Sequence, residues 1–210
     1  MTRPILISPT GVVELIGIRF HPGGTLPFFP FPMRELTNQV TELSGISKQL
    51  ERDLAPIIES GVDVIAKVKA IEEVLAKRAA GGKDSRLIGL ATEIVSRAGK
   101  VSIDAVARCA GISSRQLERR FLNEIGLGPK LFCRILRFQK VFQAIDSDDP
   151  NWAAVASDCG YYDQAHLIRD FQQIAQQTPA VLMAESTPLT EAFSRKRRMS
   201  DFSNTCKPTL

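Results

Sequence analysis

Two short stretches of the chain carry side chains of the kind that hydrogen-bond to polynucleotides. The first holds Arg115, Gln116, Glu118, Arg119 and Arg120; the second holds Gln164, His166 and Arg169. Arginine can engage both guanine acceptors at once, glutamine can pair with adenine, and a carboxylate such as Glu118 can accept from the cytosine amine. Lysine and arginine also meet phosphate oxygens through charge-assisted bonds. The local charge suits that chemistry. Between residues 100 and 140 nine basic side chains (Lys100, Arg108, Arg115, Arg119, Arg120, Lys130, Arg134, Arg137, Lys140) stand against three acidic ones (Asp104, Glu118, Glu124), a net +6, whereas the whole 210-residue chain carries only +4.

The chain is poorly equipped for catalysis. Its two histidines, His21 and His166, lie far apart, and no glycine-rich phosphate loop of the G-x-x-x-x-G-K type occurs. Cys109, Cys133, Cys159 and Cys206, spaced by 24, 26 and 47 residues, fit neither a paired-cysteine zinc motif nor a redox C-x-x-C. They are expected to be reduced thiols, mostly small core residues. No catalytic residue, cofactor or metal is expected. With 44% hydrophobic and 24% charged residues the chain can bury a core and is not wholly disordered. No apolar run reaches the roughly 18 residues of a membrane span, and the start lacks a secretory layout, so a cytoplasmic, nucleoid-associated protein without membrane contact is expected.

The elements that must position these side chains are visible as an internal repeat. Val106-Ala107 and Gly111 recur 49 residues later as Val155-Ala156 and Gly160; beyond the glycine the offset is 50, pairing Ser113 with Asp163, Leu117 with Leu167, Arg119 with Arg169 and Phe121 with Phe171. One residue is inserted, in the turn. Each unit reads as helix, tight glycine turn, helix. Ser102 caps the first helix, whose Ile103, Val106 and Ala107 face inward; Gly111 stops it with a positive φ; Ser113 caps the second, with Leu117 and Phe121 inward. Such a steep helix pair is helix-turn-helix syntax. Between the units Pro129 to Ile145 reads as one helix with the stripe Leu131, Ile135, Phe138, Phe142 and Ile145, closed by Ser147-Asp148-Asp149-Pro150. It would span roughly 26 Å, which holds two recognition helices near the roughly 34 Å spacing of successive major grooves on one DNA face. One chain then reads two unlike half-elements, and the site is asymmetric.

Upstream, residues 1–35 are rich in proline and glycine around Val12 to Phe20 and Leu26 to Phe31, which predicts two or three β-strands too few to close a domain. From 36 to 83 the spacing is helical, with Leu50, Leu54, Ile57 and Ile58 followed by Val62, Ile65, Val68, Ile71 and Val74. This connector ends in the joint Ala79-Ala80-Gly81-Gly82-Lys83. Its stripe suits a homodimer or, more commonly, intrachain core. The DNA-reading domain is expected over 84–185, and 186–210, with the basic run at 194–198, as a disordered tail.

At these residues the chain resembles a known family. Gly160-Tyr161-Tyr162-Asp163-Gln164-Ala165-His166-Leu167-Ile168-Arg169-Asp170-Phe171, followed by Thr178-Pro179 and preceded by Gly128-Pro129 and Arg137, is similar to the C-terminal domain of AraC/XylS transcription regulators. The resemblance implies a mainly α fold: a tandem helix-turn-helix domain with a long linker helix, preceded by a short β-containing segment and one or two helices. It implies base contacts from Arg115, Glu118 and Arg119 in the first unit and Gln164, Ala165, Ile168 and Arg169 in the second. Phosphate contacts fall to Lys100, Ser113, Arg120, Lys130, Arg134, Asp163 and Gln164. Ala165 and Ile168 replace small polar residues of the family pattern, so the second unit reads fewer bases by hydrogen bond, and His166 is a packing residue. The implied partners are double-stranded DNA and RNA polymerase. Gly17 to Leu43, with Arg19-Phe20-x-Pro22-Gly23-Gly24 and Glu35-Leu36-Thr37-Asn38, resembles the end of a sensory β domain; a small-molecule effector is not expected of so short a remnant. The competing expectation is a helical protein-interaction or co-regulator module that has lost specific DNA binding.

Overall fold

A computed structural model describes residues 16–80, 86–145 and 150–184. The start of the expected β segment, the 81–83 part of the joint, residues 147–149 of the closing turn and the 186–210 tail lie outside the described residues. Packing divides the chain into two units, Met1–Leu136 and Arg137–Leu210.

The first unit begins differently from expectation. Residues 16–32 form turns and irregular chain, and there is no strand among the described residues. The Gly24 N–H bonds the His21 carbonyl at 2.8 Å, and the Phe28 and Phe29 N–H groups share the Thr25 carbonyl at 3.0 and 3.1 Å. Proline explains the failure of the β reading: Pro22, Pro27, Pro30 and Pro32 remove four donors that a ladder would need. The apolar residues between them are instead absorbed by a helical layer. Phe28, Phe29 and Met33 share a core with Leu50, Leu54 and Ile71, and Phe20 packs its ring 4.9 Å from that of Phe28.

A 3-10 turn, Met33–Leu36, leads to α1 (Leu43–Ile46), α2 (Lys48–Glu59) and α3 (Val64–Ala79). Ser47 caps α2 by accepting from the Leu50 N–H at 3.3 Å, and Asp63 caps α3 by accepting from Ile65 and Ala66 at 2.9 and 3.1 Å. An Arg78–Asp53 ion pair at 2.5 Å ties α3 to α2. The expected stripe is only partly buried: Leu50, Leu54 and Ile71 lie in the core, whereas Ile58, Val62 and Ile65 are 52%, 52% and 78% exposed.

Next come α4 (Arg86–Ser96), α5 (Ile103–Cys109), α6 (Ser114–Glu124) and the first half of α7 (Pro129–Ala144). They enclose Leu87, Ala91, Ile94, Ala107, Leu117, Phe121, Phe132 and Cys133. The second unit takes the rest of α7 with α8 (Trp152–Cys159), α9 (Gln164–Ala175) and α10 (Pro179–Ala184). Its core is Val141, Val155, Ala156, Cys159, Tyr161, Leu167 and Phe171. On α7 Pro129, Phe132, Cys133 and Val141 are buried, while Leu131 and Ile135 join neither core. Each half of this helix answers to a different core, so one continuous stripe does not describe it. Cys133 and Cys159 are buried and Cys109 is exposed, none of the three in a disulfide.

Candidate nucleic-acid interface

The two helix-turn-helix pairs are built by the same local rules. In the first unit Ser102 caps α5, accepting from the Ala105 N–H at 3.4 Å. The helix stops where the Gly111 N–H bonds the Arg108 carbonyl at 3.0 Å and the Ile112 N–H bonds that of Ala107 at 3.1 Å, with Gly111 at φ +66°. The second unit repeats this closure: Gly160, at φ +81°, bonds Ser157 at 3.0 Å, and Tyr161 bonds Ala156 at 2.9 Å. A 6→1 bond beside a left-handed residue satisfies the last carbonyls of a helix and turns the chain sharply.

The second helix of each pair then starts on a cap. Ser113 and Gln116 form a full capping box: Ser113 Oγ accepts from the Gln116 N–H at 3.2 Å, and Gln116 Oε1 accepts from the Ser113 N–H at 2.8 Å. The Ser114 hydroxyl donates to Asp104 at 2.6 Å, fixing the start of α6 against that of α5. In the second unit Asp163 Oδ1 accepts from the His166 N–H at 2.7 Å. The Gln116 side chain, which the sequence offers to a base edge, is thus engaged in its own cap, as are Ser113 and Asp163 at the helix starts.

Helical geometry sorts the remaining side chains. Arg115, Glu118 and Arg119 sit at i, i+3 and i+4 and are exposed, opposite Leu117 and Phe121, which are both 0% exposed. Fifty residues later Ala165, Ile168 and Arg169 hold the same register opposite Leu167 and Phe171, again both 0% exposed. The two helix faces share geometry and differ in chemistry. The first presents three charged side chains. The second presents one, since Ala165 offers a methyl group and Ile168 is half-buried against its own core. Gln164 is exposed at the first helical position of α9.

Of the other expected phosphate contacts, Lys100, Arg120 and Lys130 are exposed and Arg134 is half-buried. Lys100 precedes α5, and Lys130 lies in the first turn of α7. His166 is half-buried and meets the Tyr161 ring edge-on, with centroids 5.3 Å apart, while the Arg137 guanidinium lies 5.5 Å from the centroid of the same ring.

Several features escape sequence reasoning. A side-chain carbon at Gly128 would collide with the Glu118 carboxylate, so this group lies against the start of α7, where a helix N-terminus favours negative charge. Asp170 is 4% exposed on α9; only its spacing from Leu167 and Phe171 hints at the buried face. The N-terminal segment holds the end of α6. Arg34 donates to Asn123, and the Thr37 hydroxyl donates to the Gly126 carbonyl at 2.6 Å. Among the described residues no cluster of His, Cys, Asp or Glu could hold a metal, and no helix is long and apolar enough to cross a membrane.

Residues 106–185 match the family model of a helix-turn-helix domain, and residues 1–42 match that of a domain of unknown function (DUF6597). No curated protein and no solved structure matches the chain.

Proposed function

As a DNA-binding transcription regulator of the AraC/XylS type, this chain, we propose, reads two successive major-groove segments of one asymmetric duplex site, the first with α6 and the second with α9. The observation that carries this reading is the shared register: each helix sets a three-residue i, i+3, i+4 face opposite a Leu–Phe pair that is 0% exposed. A recognition helix needs that division, one face fixed in the fold and the other free for the groove.

The asymmetry follows from what the faces carry. Arg115 and Arg119 suit guanine, and Glu118 suits the cytosine amine, although its place beside Gly128 also ties it to α7. Arg169 supplies hydrogen bonds in the second half-element, Gln164 reaches a base or phosphate at its edge, and Ala165 and Ile168 offer apolar contact to a thymine methyl. Lys100, Arg120, Lys130 and Arg134 supply the phosphate term. Ser113 and Asp163, being caps, bring their helix N-termini towards the backbone, where oriented N–H groups favour an anion. RNA polymerase is the partner through which such a protein acts on transcription.

Selection from a random duplex library at moderate salt tests the proposal. One enriched asymmetric motif is expected, with log affinity falling steeply against log salt. Arg119→Ala is expected to cost about 1–3 kcal/mol and to relax preference in one half-element only, whereas Lys130→Ala weakens all sequences alike and flattens the salt slope by about one. Quantitative binding to single-position variants of the motif separates the two. No enriched motif would leave the helical interaction module as the better account.

A further inference from the structure

Hydrogen bonding identifies the residue that breaks the repeat. Ile112 and Tyr161 occupy the same place: each follows the left-handed glycine, and each closes its helix by bonding an alanine carbonyl five residues back, Ala107 at 3.1 Å and Ala156 at 2.9 Å. Both side chains then turn inward, Ile112 against the first core and Tyr161 into the second. In the first unit the N-cap Ser113 comes next. In the second, one more residue intervenes before the N-cap Asp163, and it is Tyr162. The shift in offset from 49 to 50 is therefore the insertion of this tyrosine.

Tyr162 does nothing for the fold that the structure shows. Its side chain is 94% exposed, it belongs to neither core, and it makes no ring contact or hydrogen bond among the described residues. The chain holds only two tyrosines, and this one stands in water directly before the cap of the second recognition helix.

We propose that Tyr162 is a DNA-contacting residue of the second reading head, its phenolic hydroxyl donating to a phosphate oxygen at the edge of the second half-element. This rests on the DNA-reading function proposed above. A recognition helix enters the groove with its N-terminal end near the bases, which sets the residue before the N-cap at the lip formed by the sugar-phosphate backbone. Tyrosine hydroxyls are regular phosphate donors, and they position a protein without selecting sequence. The second head has need of such a tether, because its reading face keeps one charged side chain where the first keeps three.

The test uses the full chain and the duplex that the wild-type protein enriches from a random library. Tyr162→Phe removes only the hydroxyl, and Tyr162→Ala removes the ring as well; at 94% exposure neither should disturb folding. Tyr162→Phe is expected to bind about 3- to 10-fold more weakly. The loss should be the same for every base variant of the motif and leave the slope of log affinity against log salt unchanged, since a neutral phenol releases no counterion. A scan of single methylphosphonate linkages should find one position, in the second half-element, where wild type and Tyr162→Phe bind equally. Wild-type affinity in Tyr162→Phe overturns the proposal, and so does a loss confined to Tyr162→Ala, which would assign the contact to the ring. Failure of the DNA-reading function itself looks different: the wild-type chain then enriches no duplex at all, and the proposal falls with it.

Discussion

Truncating Phe171 to alanine is expected to destabilise the second unit by about 3–5 kcal/mol, a large share of the roughly 5–15 kcal/mol that holds an ordinary domain folded. Phe171 is 0% exposed, with the Phe138 ring at 4.4 Å and the Phe142 ring at 5.8 Å, so its removal leaves a cavity lined by two aromatic rings that α7 holds in place. The same side chain fixes the rotation of α9. With Leu167 it anchors the buried face, and the opposite face can present Ala165, Ile168 and Arg169 only while that anchor holds. Urea denaturation should show the lowered midpoint, and amide exchange should show α8 and α9 losing protection. Its repeat partner Phe121, also 0% exposed, has the Phe132 ring at 5.8 Å and belongs to the first unit's core, which does not contain Phe171. A loss below about 1 kcal/mol would show that α9 is anchored by something other than its phenylalanine.

The tandem helix-turn-helix is legible in the sequence because its signals are local. A cap such as Ser102, Ser113 or Asp163 acts within three residues of itself, and a glycine stop acts within five, so spacing alone betrays them. Duplication then doubles every signal: Leu117 and Phe121 on one helix vouch for Leu167 and Phe171 on the other. What stays hidden depends on partners distant in sequence or on competition for one group. The prolines around residues 26–31 already deny a ladder its donors, but that Phe28 and Phe29 cover helices instead depends on Leu50, Leu54 and Ile71, which no local pattern announces. Gln116 has the right chemistry for adenine and the right position for a capping box, and its own backbone wins. The Thr37 bond to Gly126 joins residues 89 apart, beyond the reach of any local pattern. Tyr162 is the instructive case. The inserted residue is visible in the repeat offset, but which residue it is becomes plain only from the hydrogen bonds on either side.

Gly99 supplies the second large effect, and it too depends on a distant contact. Its N–H bonds the Ile94 carbonyl at 2.9 Å to end α4, its φ is +74°, and a Cβ there would fall on the Cys133 carbonyl and within 2.9 Å of the Cys133 Cα. Two penalties coincide in Gly99→Ala. The left-handed backbone costs about 1–2 kcal/mol for an L-residue. The clash adds more, because the atoms struck are helix backbone, and α7 cannot retreat without opening the core that holds Ile94, Phe132 and Cys133. A total of about 3 kcal/mol or more is expected from the first unit. The consequence reaches the first helix-turn-helix pair, since the turn at Gly99 delivers Lys100 and the cap Ser102 to the start of α5. Gly89→Ala is the matched control: it lies within α4 with nothing within 4 Å of its would-be Cβ, so it should be neutral or gain up to about 1 kcal/mol in helix propensity. Equilibrium urea curves on the two variants decide the matter. If Gly99→Ala proved as harmless as Gly89→Ala, the close approach of the α4 turn to α7 would not be what seats the first helix-turn-helix pair.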